Sequence, residues 1–428
     1  MTGSAPLGTT AFALIFGLLL VAPLAPAGLA LINVGLGRSR SAAQSMLGSL
    51  VLTATAVLVF ALLGATFADG ASGAGHALSL GGKLWNWAGT GPVLLGGFIQ
   101  TPARAQLGVL FKFLAVILVV LIPWGSGADR WRTMAGCSAA ALLAGVVFPL
   151  FAHWSWGQGW LAQLGANFGL GAGFLDIGGA GTIHVVGGLS ALAAIWIVGP
   201  RRGKFPKGGL STAMPGHNAI YVLFGCAVAA VGWLAFNAAG ALLWLDAPLA
   251  VLPVVAVNTL LAPASALAAT FTITRLRFGK PDASLCANGW LAGLVTSSAC
   301  AAVVAPLAAI LVGLVAGAIT PLLVEFLELA IAIDDPAGAV TVHAACGLWG
   351  LFAAGLFAPQ SGQVLAQLVG IATLLGLVLP VVYLLFWLTN RVLPFRVAPD
   401  GERLGMDLHE LGGGAYPEFV VHRDDSYR

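Results

Sequence analysis

Two histidines share the same neighbours. His184 closes the run Asp176-Ile-Gly-Gly-Ala-Gly-Thr182-Ile-His184, and His343 closes Asp335-Pro-Ala-Gly-Ala-Val-Thr341-Val-His343. The runs align without a gap at an offset of 159 residues. Asp176 matches Asp335, Gly179 matches Gly338, Ala180 matches Ala339 and Thr182 matches Thr341. Further on, Gly188-Leu189, Leu192 and Pro200 match Gly347-Leu348, Leu351 and Pro359. Imidazole gives and takes protons near neutral pH. A duplicated pair that meets could therefore relay a proton. A lone histidine on an apolar helix is more simply a core residue bonded to a carbonyl. Two at duplicated positions point to a shared task, because ionisable groups in hydrocarbon are costly and usually line a pathway. Asp176 and Asp335 each stand eight residues before their histidine. There a carboxylate can cap the first turn of a helix.

The elements that must position these residues are membrane spans. Hydrophobic residues make up 59% of the chain and charged residues only 8%, against roughly 25% charged in a soluble domain. Mean hydropathy is +0.96. The 58 glycines suit helices that approach closely in lipid. A formal charge of +3 gives nucleic-acid binding no support. Cys137, Cys226, Cys286, Cys300 and Cys346 lack ligand-type spacing and read as small buried residues. No HExxH motif, carboxylate cluster or nucleophile–base pairing suggests an enzyme, a metal or a cofactor.

A helix needs about 20 apolar residues to cross a bilayer. The runs 10–32, 44–66, 105–124, 133–152, 178–199, 217–244, 247–272, 286–304, 305–330, 339–358 and 364–390 qualify, eleven in all. Residues 91–103 are apolar but short and glycine-rich, fit to lengthen the third helix or form a re-entrant piece. No Lys or Arg precedes Arg38, so the first run lacks the basic start of a signal peptide and is expected to remain as a helix. Sixteen of the nineteen basic residues follow odd-numbered spans; only Lys83, Arg104 and Lys112 fall on the other side. Basic loops stay in the cytoplasm, which sets the N-terminus outside and the C-terminus inside. The loop after span nine, with Glu325, Glu328, Asp334 and Asp335, is the exception.

The expected fold is all-α: eleven transmembrane helices in a five-plus-five inverted repeat, about 10–200 and 217–359, with a last helix at 364–390. A membrane domain at 1–396 is followed by a polar tail at 397–428. An odd number of spans separates the copies, so they run antiparallel, as in transporters whose site lies near the midplane. Eight residues of helix measure about 12 Å. Entering from opposite faces of a core about 30 Å thick, both histidines arrive near its centre.

These residues resemble the Amt/Rh ammonium transporters over nearly the whole chain. The similar segments run colinearly: Ala27-Gly-Leu-Ala-Leu31 and Gly35-Leu-Gly-Arg38, Ala128-Asp-Arg130, Ala152-His-Trp-Ser-Trp156-Gly-Gln-Gly-Trp160, and Asp176 to His184. His217-Asn218, Gly232-Trp-Leu-Ala-Phe-Asn237, Asn258-Thr-x-Leu-Ala262, Arg277-Phe-Gly-Lys-Pro281, Gly347-Leu-Trp-Gly350 and Leu404-Gly-Met-Asp-Leu408-His-Glu410 follow. The resemblance implies a homotrimer in the plasma membrane with one pore per subunit, no cofactor, and a PII-type regulatory protein as a candidate partner at the cytoplasmic face. By matching position, His184 and His343 are the twin histidines of the pore, and Phe236 and Phe111 belong to its gate. Trp156, Asp176 and the position of Gly240 form the outer site that recruits ammonium. Departures fall at that entrance. Gly240 stands where a serine is usual, and the second gate phenylalanine falls on Ala115, with Phe113 as a substitute and Lys112 beside it. Glu325 and Glu328 replace basic residues usual after span nine. Conduction of ammonium or ammonia is the function implied; a sensor with little conduction and a neutral gas channel, as in Rh relatives, are the alternatives.

Overall fold

In hydrocarbon every backbone amide must be satisfied within the protein, so each apolar run closes its hydrogen bonds on itself as a helix. The computed structural model describes residues 7–68 and 77–416. Arg423, Arg428 and the last part of the tail lie outside the described residues. Ten described helices are long and apolar enough to cross a membrane. They are α1 (Thr9–Leu36), α2 (Ser39–Ala68), α3 (Ala103–Ser126), α4 (Thr133–Ser155), α5 (Ala180–Val198), α6 (Ala219–Trp244) and α7 (Leu249–Phe278), then α9 (Pro306–Leu329), α10 (Val340–Phe357) and α11 (Gln363–Val392). Between them stands α8 (Ala283–Cys300), which brings the helices to eleven.

The sequence places α8 correctly, and its lower hydropathy has a structural reason. Nearly all of it is buried, and its hydroxyls serve neighbouring helices rather than lipid. Ser298 Oγ accepts from Trp233 Nε1 at 3.0 Å, Ser297 Oγ accepts from Asn237 Nδ2 at 3.1 Å, and Thr296 Oγ1 donates to the Cys346 carbonyl at 3.1 Å. Residues 91–103 neither extend α3 nor form a re-entrant helix. They make two 3-10 turns, Val93–Leu95 and Phe98–Gln100, before α3 begins.

Small residues set how closely helices pack. α1 and α6 touch backbone to backbone: a Cβ on Gly225 would lie 2.7 Å from the Gly28 carbonyl oxygen. Gly225→Leu is therefore expected to cost about 1–3 kcal/mol through overpacking, visible as a lowered thermal midpoint in detergent.

The two repeats meet through matched features. α5 and α10 both open on a π-turn, Ala180–Val185 and Val340–Ala345. Before each turn a glycine takes the left-handed conformation, Gly179 at φ 93° and Gly338 at φ 66°, which costs glycine nothing. Gly188 and Gly347, the next matched pair, clear the way for the opposite repeat. A Cβ on Gly188 would collide with the Ala344 backbone, and one on Gly347 would lie 2.9 Å from the Ala180 carbonyl oxygen.

Charge collects on one face. Arg201 binds Asp334 through two guanidinium nitrogens, at 2.8 and 2.9 Å, and reaches Asp129 at 3.3 Å. Arg38 pairs with Asp129 at 3.4 Å. Arg130 donates to the carbonyls of Gly199 and Asp334 at 2.7 and 2.8 Å. Lys204 pairs with Glu328 at 2.6 Å and Arg277 with Glu325 at 2.7 Å. The acidic residues of the last turns of α9 and of the loop after it thus lie on the basic face and pair with it, which accounts for the exception in the charge pattern. Burial pulls Arg130 down to about 10. Burial would raise Asp334, but hydrogen bonds from Arg201 and the charges of Arg130 and Arg201 outweigh it and bring the carboxyl down to about 2.

The tail docks on the same face. Asp407 accepts from the amides of Gln44 and Ala43 at 2.7 and 3.1 Å, in the first turns of α2. Glu410 accepts from the Thr133 amide at 3.1 Å and from its hydroxyl, at the start of α4. Both carboxylates sit where a helix offers free N–H groups. The opposite face carries an antiparallel hairpin, β1 (Ala77–Leu80) and β2 (Lys83–Asn86). The Trp154 indole donates to the Trp87 carbonyl just beyond it, at 2.6 Å.

Candidate functional site

Two side-chain groups stand in line along α5, α6 and α10. The deeper is the histidine pair. His184 and His343, one from each repeat, have ring centroids 5.2 Å apart and planes tilted by 27°. Both are buried. Trp233 of α6 lies parallel to His184 at 4.9 Å. The Nδ1 atoms of both histidines are buried without a hydrogen-bond partner. A neutral imidazole has one donor and one acceptor nitrogen, and leaving one unpaired in an apolar setting costs free energy.

One turn along α6 from Trp233, the second group gathers around Phe111. Its ring meets Phe236 at 5.1 Å, Trp156 at 5.2 Å and Trp244 at 5.4 Å, each edge to face. Trp156 and Trp244 stack in parallel at 5.4 Å. Behind them Asp176 organises the start of α5. Its Oδ2 accepts from the amides of Gly181 and Thr182 and from the Thr182 hydroxyl, at 3.1, 2.6 and 2.7 Å. Its carbonyl holds the Trp156 indole N–H at 2.6 Å. Asp335, the matched residue, accepts from the Val340 amide at 2.8 Å and from Ser126 at 2.7 Å. Both aspartates therefore cap the helix that carries a histidine.

The structure thus brings His184 to His343, and Phe111, Phe236, Trp156 and Asp176 into one cluster. Gly240 lies beside Asp176, so close to the Ile177 carbonyl that a Cβ there would collide with it. Phe113 does not substitute for the phenylalanine missing at Ala115. It points away and packs edge to face on Phe60 at 4.9 Å, because positions two apart on a helix face different sides. Lys112 is nearby, its Nζ donating to the Ala68 carbonyl at 2.7 Å and lying 5.7 Å from the Trp244 ring. Sequence reasoning missed Trp233 and Trp244. The available signal was helical spacing: Trp233, Phe236, Asn237, Gly240 and Trp244 recur at three- and four-residue steps on one side of α6.

The sequence profile described as the Ammonium Transporter Family matches residues 11–416. The chain belongs to the ammonium transporter family. Among curated relatives, Ammonium transporter Amt2 of Archaeoglobus fulgidus is 33% identical, covering 92% of this chain and 85% of its own. The Ammonium transporter of Bacillus subtilis is 31% identical over 97% of this chain and 100% of its own. These relatives are named as transporters, not enzymes. A solved structure called Sensor Amt Protein superposes with a TM-score of 0.85 at 25% identity, covering 94% of this chain and 98% of that one. Rh50 of Nitrosomonas europaea shares the fold, with a TM-score of 0.72 at 21% identity over 98% of this chain and 96% of that one. For a member of the ammonium transporter family, a multi-pass membrane protein, the open question is what its residues do.

Proposed function

We propose that this chain conducts ammonium nitrogen across the membrane through a narrow apolar path past the His184–His343 pair. The observation that carries the reading is the pairing of two buried histidines, one from each repeat, with unpartnered ring nitrogens. Ammonium approaches from the hairpin face, where Trp156, Asp176 and the Gly240 position form the recruitment region. Phe111 and Phe236 make the gate. Loss of water at the gate penalises the charged form, so the proton leaves there. Ammonia then crosses, and the imidazoles hold it by hydrogen bonds and can relay the proton. The basic face is cytoplasmic by the positive-inside rule. The family resemblance adds a homotrimer and a PII-type protein as a candidate partner at that face.

The test is an ammonium gradient applied to proteoliposomes carrying an internal pH dye, with protein-free vesicles as background. The expected result is a protein-dependent response several times above background: internal alkalinisation when ammonia crosses without its proton, and membrane current when the proton is relayed with it. The likeness to a solved sensor protein favours one second reading, a sensor. Saturable ammonium binding with no flux above background would select it.

A further inference from the structure

The geometry points to Gln363 and Gln367 of α11 as positioning residues for the recruitment region. The inference deepens the conduction reading above and rests on it. Residues 171–175, which lead into Asp176, form neither helix nor strand, and from Gly173 onward they are buried. Their main-chain groups must therefore find partners elsewhere, and α11 supplies them. Gln363 Oε1 accepts from the Ala172 amide at 2.9 Å, and its Nε2 donates to the Gly173 carbonyl at 2.7 Å. One turn on, Gln367 Oε1 accepts from the Leu175 amide at 2.8 Å, and its Nε2 donates to the Leu175 carbonyl at 2.8 Å. The same Nε2 also donates to the Leu351 carbonyl of α10 at 3.1 Å. A glutamine amide carries both donor and acceptor, so each side chain pairs with the loop as a neighbouring strand would. Both glutamines are buried. Small residues seat the clamp. A Cβ on Gly370 would collide with the Phe174 ring, and one on Gly355 would lie 3.0 Å from Gln367 Cγ.

The clamp ends where the recruitment region begins. The Leu175 carbonyl belongs to the planar peptide that joins Leu175 to Asp176, so Gln367 sets the plane from which Asp176 departs. Asp176 then makes three kinds of contact. Its carbonyl holds the Trp156 indole, its Oδ2 caps α5, and its Oδ1 is buried without a hydrogen-bond partner. The other repeat fixes the matching point with charge: Asp334, directly before Asp335, is bound by Arg201. α11 itself stands outside the repeat, and Leu365 and Leu368 on it are exposed. An apolar pair in place of the glutamines would fill similar space but leave the Leu175 main chain unpaired and Asp176 free to shift. A positioned group displaced by about 1 Å can lose on the order of a hundredfold in effectiveness. Loss of the clamp therefore weakens capture of ammonium ahead of the gate. The deeper His184–His343 contact stays as it is.

The experiment measures flux against ammonium concentration in proteoliposomes carrying wild type, Gln367→Met or Gln363→Met. Methionine keeps roughly the shape of glutamine and makes neither bond. The half-saturating concentration is expected to rise at least about tenfold in Gln367→Met and less in Gln363→Met, with maximal flux per folded protein within about twofold of wild type. A role in folding alone would lower maximal flux and thermal midpoint together and leave half-saturation unchanged. That outcome overturns the clamp and leaves conduction standing, as does wild-type flux that never saturates. If Gln367→Met yields no monodisperse protein, Gln363→Met decides, with a rise of at least about threefold expected. Absence of flux in wild type overturns conduction instead. The clamp is then judged on saturable ammonium binding, and an unchanged Kd in Gln367→Met, or no binding in wild type, overturns it as well.

Discussion

Replacing His184 with alanine is expected to lower protein-mediated ammonia flux on the order of a hundredfold or more, the range over which a positioned proton-transfer group acts. Alanine removes the ring that lies between Trp233 and His343 contacts, at 4.9 and 5.2 Å. It leaves the middle of the path without a donor or acceptor on that side. Truncation inside a packed core also costs stability, so the comparison needs His184→Gln. Glutamine keeps donors and an acceptor but takes up no proton. Loss of flux in both variants identifies proton relay as the essential role. Loss in alanine with retention in glutamine identifies a polar waypoint instead. Flux undiminished in both, from monodisperse protein, would remove the histidine pair from the mechanism. The same substitutions at His343 are expected to act alike, because the two rings face each other as one pair.

The second large effect is on stability. Arg201→Met removes the centre of the buried network of the basic face, leaving Asp129 with Arg38 and Asp334 with Arg130 at 3.9 Å, the two carboxylates being almost wholly buried. Removing one partner of a buried pair typically costs about 3–5 kcal/mol, enough to lower the thermal midpoint of detergent-solubilised protein by many degrees. The pH dependence gives an independent reading. Asp334 is held down at about 2 against an ordinary 3.8, so its ionised form stabilises the fold by about 2 kcal/mol. The sign follows from the lowered value. That stabilisation is complete above about pH 4 and is lost as pH falls through 2. An Asp334→Asn variant should show a smaller decline in thermal midpoint over that interval, measured by tryptophan fluorescence. An identical decline would show that Asp334 does not govern it. The substitution effect exceeds the pH effect because it removes the bonds of Arg201 to both Asp334 and Asp129.

The sequence was most informative where physics leaves few choices. Hydrocarbon requires unbroken helices, so ten spans follow from hydropathy alone. The polar helix Ala283–Cys300 remained visible because its length and the alternation of basic loops demanded it. The His184–His343 pairing was legible because a duplication fixes depth as well as residue type. Legibility ended at side-chain direction. Phe113 and Ala115 differ by half a turn, and only packing on Phe60 shows that Phe113 faces away from the Phe111–Phe236 contact. Trp244 was hidden for a related reason: an aromatic residue near a helix end reads first as interfacial belt, and its stacking partner is 88 positions earlier in the chain. The acidic loop looked like a violation of the charge rule because the rule counts cations, whereas pairing with Arg201, Lys204 and Arg277 depends on the folded face.

The inverted repeat has a consequence for direction. Its two aspartate-capped helices make the pathway nearly symmetric in its middle, while the aromatic stack stands at one mouth and the ionic network at the other. Such a path has unequal doors but no ratchet. By detailed balance, unequal doors alter how fast each side exchanges with the centre, never which side is richer at rest. Net accumulation must therefore come from outside the protein, from a pH difference that traps ammonium, from the membrane potential where the proton is carried along, or from metabolism that consumes it.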